Sequence, residues 1–463
     1  METSINQNLV VTLPEIVANI LSYLPTSDIM KCTKVNRTWE GEARTHILAR
    51  NSVQLQVRNF KKYFKTMRLR RSYHKNIYIY LHCMTPHEIS NYLEKLAPRL
   101  SRNWEKVTRL KIDFPMDLPS DSISIPIRIL ETLKIMKNVK SLEIRPIFRK
   151  LWNELNVHKL KEHLAQNSRA FRHVTKFGIW LTDVADYDED HREPNMQDLL
   201  EPLIPHFFPL FPNLKILKLT DTPGFDMFQL PRKLNKLIIR RTDRTSINLM
   251  TPCLPLKPVT LTRLEVTMQD ACPYIVTQLA PHLEHLCIHA ELSVDSSFDD
   301  PWIFPVMPKL KVLEFWISPE LYSIWGSMCV NLNFKYAIVD KSTGEKLIYA
   351  QQFPLLESLT VRMEPEKSSE KVVCALPGRM FDVVYRHFIP RNTAPCKTLK
   401  YLDIPFPTED KFRVSIWWKC SGTKRCHCCE WMYAWEYFDV VARTFPNFDS
   451  PLVEEGRKNR LMD

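Results

Sequence analysis

Between residues 107 and 404 one short pattern returns ten times: apolar, two others, apolar, one other, apolar. Its copies are VTRLKI (107–112), VKSLEI (139–144), VTKFGI (174–179), LKILKL (214–219), LNKLII (234–239), LTRLEV (261–266), LEHLCI (283–288), LKVLEF (310–315), LESLTV (356–361) and LKYLDI (399–404). The alternation at the end of each copy predicts a short strand with one buried face. NIYIYL (76–81) predicts a further strand ahead of them. Helix-like segments lie between strands, among them PIRILETLKIMKN (126–138), NVHKLKEHLAQN (156–167), ACPYIVTQLA (271–280) and FDVVYRHFI (381–389), and Pro212, Pro281 and Pro308 each stand just before the next copy. A unit of 20 to 46 residues that repeats in this way exposes an apolar face unless its neighbours stack on it. The chain is therefore constrained to a stacked α/β array.

These units resemble leucine-rich repeats, and the resemblance implies a solenoid with a parallel strand layer inside and helices on the convex side. The spacing is irregular, and the Asn that follows the strand in regular members is replaced by Pro115, Thr222 and Glu291. Residues between the leucines point away from the core and are expected to line the concave binding face. Basic members outnumber acidic ones there: Arg109, Lys111, Arg145, Lys176, Lys218, Lys236, Arg240, Arg263 and Arg362 stand against Asp113, Glu143, Glu265, Glu314 and Asp403. Lys176, Lys218, Lys236 and Arg240 are expected to form a row of charges, with Trp180 and Trp316 as apolar anchors. Such a face suits an acidic or phosphorylated protein target.

The N-terminal stretch LPEIVANILSYLPTSDIMKCTKVNRTWE (13–40) has a different periodicity. Pro14 begins a helix in which Ile16, Val17, Ile20, Leu21 and Leu24 form a stripe; Pro25 ends it, Thr26, Ser27 and Asp28 can cap a second helix, and a third begins near Asn36. Three helices this short cannot bury all their apolar residues, so some surface remains for a partner. Leu13, Pro14, Glu15, Ile20, Leu21, Leu24, Asp28, Ile29, Val35, Arg37 and Trp39 resemble an F-box in order and spacing. That resemblance implies docking on the Skp adaptor of a cullin ubiquitin ligase, carried by Leu13, Pro14, Ile16, Ile20, Leu24 and Ile29.

The remaining stretches carry weaker signals. RNFKKYFKTMRLRRSYHK (58–75) holds eight Lys or Arg and no acid, and Val57, Phe60, Phe64 and Met67 fall at helical spacing, so it reads as a basic amphipathic linker helix rather than a nucleic-acid patch. CSGTKRCHCC (420–429) lacks paired Cys-x-x-Cys knuckles and reads as free thiols, with zinc as the alternative. DVADYDEDHRE (183–193) reads as a solvated loop and KSTGEK (341–346) as the turn of an inserted hairpin. With eight glycines in 463 residues there is no glycine-rich phosphate loop, and no nucleophile elbow or metal-binding helix motif is present, so no enzyme activity and no cofactor are expected. No apolar run of membrane-spanning length and no secretory leader are seen, and the scattered cysteines suit a reducing compartment, so cytosol or nucleus is expected.

The sequence thus predicts an α/β chain with an F-box over 1–50, a basic linker helix over 51–75, an irregular leucine-rich-repeat solenoid over 76–405 and a C-terminal cap with a Cys-rich loop over 406–463. The expected function is that of a substrate-recognition subunit for ubiquitin-dependent degradation, holding the Skp adaptor and cullin core at one end and an unknown protein target at the other. The alternative is a basic repeat scaffold that binds nucleic acid or a protein partner without a ligase; the net charge of +12 is compatible with both.

Overall fold

The computed structural model describes residues 13–56, 59, 62–63, 65–66, 74–81, 84–103, 107–115, 124–148, 154–180, 182–183, 204–220, 230–240, 260–267, 272–290, 302–317, 334–338, 347–363, 384–385, 387–389, 395–406, 411–415 and 429–448. It divides into two compact units, Met1–Lys233 and Leu234–Asp463.

The first unit opens with three helices, α1 (Pro14–Tyr23), α2 (Thr26–Cys32) and α3 (Arg37–Arg50). Pro14 occupies the first helical turn, where its missing N–H costs nothing, and Pro25 separates α1 from α2. Asn36 caps α3 by accepting a hydrogen bond from the Trp39 backbone N–H at 3.0 Å. A small core of Val17, Leu21, Ile29 and Ala43 joins the three, with Leu24, Cys32, Trp39 and Ile47 packed partly buried against it.

Strand β1 (Ser52–Leu55) follows α3 directly, and β2 (Asn76–Tyr80), β3 (Arg109–Pro115), β4 (Ser141–Phe148), β5 (Lys176–Trp180) and β7 (Ile216–Thr220) continue a parallel sheet in chain order. A short β6 (Thr182–Asp183) pairs with the end of β4. Parallel neighbours need crossovers. Here α4 (Pro86–Asn103), α5 (Ser124–Lys134), α6 (Glu154–Gln166) and the short α7 (Ile204–Phe207) with its 3-10 turn supply them. Register places Leu110, Leu142, Phe177 and Leu217 opposite one another, and Ile112, Ile144, Ile179 and Leu219 form the next row. All eight are buried.

In the second unit β8 (Lys236–Arg240), β9 (Arg263–Thr267), β10 (His285–Ala290), β12 (Val312–Ile317), β14 (Ser358–Met363) and β15 (Tyr401–Asp403) are again parallel and in chain order. Leu237, Leu264, Leu286, Leu313, Leu359 and Leu402 form its central buried row. Helices α8 (Cys272–Leu279) and α9 (Tyr349–Gln352) lie in the connections, and β11 (Trp302–Phe304) pairs in parallel with β13 (Phe334–Tyr336). The buried Gln352 donates to the Phe304 carbonyl at 2.9 Å, fixing α9 against β11. The unit ends with an antiparallel pair, β16 (Lys411–Ser415) and β17 (Cys429–Tyr433), and α10 (Ala434–Thr444).

One backbone motif recurs in both units. The carbonyl just before a strand accepts two successive N–H groups from the next unit, as Thr108 does from Lys140 and Ser141, Lys140 from Thr175 and Lys176, Thr262 from Glu284 and His285, and Glu284 from Lys311 and Val312. This shared carbonyl fixes the step from one unit to the next without a side-chain ladder, consistent with the absence of the regular Asn.

Each of the ten copies and NIYIYL contributes a strand, and the helix-like segments 126–138, 156–167 and 271–280 are helical over 126–134, 156–166 and 272–279. The expected linker helix over 51–75 is corrected in part. Residues 52–55 are strand β1, paired in parallel with β2, because their backbone groups meet an open sheet edge; the described residues between 59 and 66 are helical. Val57, Phe60, Phe64 and Met67, the turn at 341–346 and Cys420, Cys426, His427 and Cys428 lie outside the described residues, as does the acidic run except Asp183. No described helix is long and apolar enough to cross a membrane.

Candidate functional site

Three arrangements have features of a binding surface. The first is the outer side of the helical module. Spacings of three and four divide the broad apolar stripe of α1 between two surfaces: Val17 and Leu21 enter the core, while Ile20 and Tyr23 face outward. Leu13 and Ile20 are each 41% exposed, and Tyr23 (82%), Met30 (60%) and Val35 (59%) are more open still. Among the residues assigned to adaptor docking, Leu13, Pro14 and Ile20 are exposed and Ile16 and Leu24 half-buried. Ile29 is corrected: it is wholly buried in the module's own core, because α2 turns it toward Val17 and Leu21. Tyr23 and Met30 were missed, although their places in helices that already bury other positions were a readable signal.

The second arrangement lies on the outward face of the first unit's sheet. Lys111 on β3, Glu143 on β4 and Gly178 on β5 are direct neighbours in register, and Lys218 on β7 stands opposite Gly178. Two strand spacings, roughly 9.6 Å, separate β4 from β7. Lys218 nonetheless reaches Glu143 at 3.7 Å, because Gly178 has no side chain in between; a Cβ there would sit 3.2 Å from Glu143 Cγ and 3.6 Å from Lys218 Cβ. Lys111 approaches the same carboxylate at 3.6 Å. Its ammonium also lies 5.0 Å from the ring centres of both Tyr78 and Trp180, and the Arg145 guanidinium stacks on Trp180 at 3.9 Å.

On the same face, two residues along β3 from Lys111 and opposite Arg145, Asp113 is completely buried. Its Oδ2 accepts a hydrogen bond from the Tyr78 hydroxyl and lies 3.6 Å from Arg145, while Oδ1 has no hydrogen-bond partner among the described residues. Burial pushes the Asp113 carboxyl above its ordinary range, against the lowering influence of the Tyr78 hydrogen bond and the Lys111 and Arg145 charges.

The third arrangement is on the outward face of the second unit. Glu265 on β9 stands opposite Ile238 on β8, so Lys236 and Arg240 reach it from the two diagonal positions. Lys236 Nζ is 2.7 Å from Oε2, Arg240 donates to Oε1 at 2.6 and 3.0 Å, and His289 Nε2 lies 3.5 Å from Oε1. Burial opposes the charged form of Glu265, yet the hydrogen bonds from His289, Lys236 and Arg240 overcome it and hold the carboxyl well below its usual range. Beside it His285 pairs with Glu314 at 3.0 Å, and Trp316 donates its indole N–H to Glu314 at 3.0 Å. Cys287 Sγ lies 3.5 Å from His289, but burial and the Glu265 and Glu314 carboxylates push its thiol up, away from the activated thiolate a nucleophile needs.

The expected row of Lys176, Lys218, Lys236 and Arg240 is therefore not a row of unopposed charge. Lys176 stands opposite Ile216, two positions along the strand from the level of Lys218. Lys218 shares Glu143 with Lys111, and Lys236 and Arg240 share Glu265. Trp180 is engaged by Arg145, and Trp316 by Glu314. Among the described residues no cluster of His, Cys, Asp and Glu could hold a metal ion.

Residues 12–45 match the F-box domain family. The chain carries this domain at the place where α1, α2 and α3 form their small core with its open apolar face. F-box domains generally bind the Skp1 adaptor within SCF complexes, which indicates an SCF-type substrate-adaptor role. No curated protein and no solved structure matches the chain.

Proposed function

We propose that this chain is the substrate-recognition subunit of an SCF-type cullin ubiquitin ligase, with the F-box on the Skp adaptor and the outward sheet face on a protein target. The recurring strand units are read as irregular leucine-rich repeats whose strand layer presents that face. The observation that carries the reading is the apolar surface left open on the F-box: Leu13, Ile20, Tyr23, Met30 and Val35 are exposed around a core of four fully buried side chains among the described residues. A module with so small a core gains stability by covering such a surface. Arrays of parallel strands with polar and aromatic outward positions supply the second binding surface. Catalysis belongs to the rest of the complex in this reading, and the chain contributes proximity.

The test is adaptor capture by a chain carrying Leu13→Asp and Ile20→Asp. Placing unpaired carboxylates in an apolar interface costs several kcal/mol, so capture should be lost while the circular dichroism of the sheet units is unchanged. Adaptor co-purification equal to wild type would refute the docking assignment.

A further inference from the structure

The two charged clusters on the sheet faces differ in closure. In the second unit the hydrogen bonds that Glu265 accepts from Lys236 and Arg240 are 2.6 to 3.0 Å long, and its side chain is 11% exposed, so this cluster is satisfied within the fold. In the first unit Lys111 and Lys218 stop 3.6 and 3.7 Å from Glu143, beyond hydrogen-bonding distance, and each side chain retains about a quarter of its exposure (29% and 26%). Two ammonium groups converge on one carboxylate over the place where Gly178 leaves no side chain. Trp180 borders the same place with Arg145 stacked on it, and the buried Asp113 braces Arg145 and Tyr78.

We infer that the first unit's sheet face over Gly178, bounded by Lys111, Trp180 and Lys218, receives an acidic side chain of an extended segment of the protein target. This inference rests on the receptor reading above and narrows it to one subsite. The incoming carboxylate takes hydrogen bonds from Lys111 and Lys218 that Glu143 leaves unmade, and a neighbouring apolar residue of the segment lies against Trp180. Charge complementarity selects the occupant: Lys111, Arg145 and Lys218 outnumber the two carboxyls they face, Glu143 and Asp113, and Asp113 is wholly buried and already engaged by Tyr78 and Arg145. The cation–π contacts hold Lys111 in place before binding, which lowers the ordering cost. A side chain at 178 would enter the space that Glu143 and Lys218 share: even a Cβ would meet Glu143 Cγ at 3.2 Å and displace it by a few tenths of an ångström, and a longer side chain would fill the space.

The experiment selects peptides from a random display library on the immobilised full-length chain bound to its adaptor, and measures the recovered peptides by fluorescence anisotropy. Enrichment of Asp or Glu next to an apolar residue is expected. Lys111→Met with Lys218→Met should weaken those peptides about tenfold, while Lys236→Met in the closed cluster should leave them unchanged. Gly178→Leu should block them with no change of charge. Circular dichroism and urea unfolding of each variant, matched to wild type, verify the fold of the sheet. Peptides without acidic enrichment, or peptides lost with Lys236→Met but not with the paired lysine change, would overturn this subsite and leave the sheet-face receptor reading in place. Failure to recover any peptide, or indifference to every sheet-face variant, would overturn both. Tighter binding of oligodeoxythymidylate than of any peptide, lost with the same lysines, would replace the peptide by a nucleic acid.

Discussion

Glu265 offers a direct measurement of how far the second unit's charged cluster is structural. Glu265→Ala removes the acceptor of Lys236 at 2.7 Å and of Arg240 at 2.6 and 3.0 Å. A hydrogen bond between charged groups contributes about 1.5–3 kcal/mol when desolvated. The Lys236 and Arg240 side chains are 30% and 40% exposed, however, so water replaces much of what they lose. Discounting each of the two partners, Lys236 and Arg240, to roughly 1 kcal/mol and adding a small cavity term gives an expected loss of about 2–3 kcal/mol. Glu265→Gln keeps the shape and one acceptor and should lose about 1–2 kcal/mol. The assay is hydrogen exchange of peptides spanning β8 to β10, compared across urea concentrations at neutral pH.

The pH dependence has a fixed sign. The folded-state pKa of Glu265 lies below its ordinary value of 4.5, so its stabilisation is complete above that value and is lost as pH falls through the folded-state pKa. The gap between wild type and Glu265→Gln should therefore narrow steadily below pH 4.5. A gap of less than about 0.5 kcal/mol at neutral pH, or one that does not change with acid, would refute the assignment of Glu265 as the anchor of this cluster.

Two further expectations concern the scaffold. Leu217→Ala or Leu286→Ala, each at a fully buried ladder position, should cost about 2–5 kcal/mol in urea unfolding, whereas Leu355→Ala, 47% exposed, should cost less than about 1 kcal/mol. Arg50→Ala removes guanidinium hydrogen bonds to the Leu21, Ser22 and Leu24 carbonyls at the C-terminal end of α1 and should destabilise the F-box by about 1–2 kcal/mol, read as faster amide exchange across residues 14–24.

The strands were legible because the pattern specifies burial three times per copy. In LKILKL, Leu214, Leu217 and Leu219 are all fully buried, and the same holds for Leu283, Leu286 and Ile288 in LEHLCI. The F-box helices were legible from Pro14, Pro25 and the Asn36 cap. Strand β1 was not, since four residues have no measurable period and are strand only because β2 lies alongside. Charge pairing was hidden for a related reason. Which lysine meets which carboxylate depends on strand order and register, so the nine bases on the outward list did not reveal that Glu143 and Glu265 each gather two of them. Gly178 was visible within VTKFGI, but its effect appears only once Glu143 and Lys218 are known to stand on either side of it.

The join between the F-box and the sheet bears on the receptor reading. Asn76, the first residue of β2, donates to the Ala49 and Arg50 carbonyls at 2.9 and 3.1 Å and so caps the end of α3. Arg50 in turn caps α1, and β1 begins two residues after α3 and pairs with β2 from Ser52 opposite Asn76. The module is thus tied to β2 by hydrogen bonds that satisfy the end of α3, where a flexible linker would have left the Ala49 and Arg50 carbonyls to water. For a receptor that acts by proximity this matters, because effective concentration falls as the path between two binding sites loosens. The subsite over Gly178 lies on β5, four strand spacings or roughly 19 Å along the sheet from β1. A parallel ladder of hydrogen bonds spans that distance without interruption. In the proposed reading, the path between the F-box face that docks on the adaptor and the subsite over Gly178 would run through paired backbone rather than through a free linker, which would raise the effective concentration of a bound segment at the ligase.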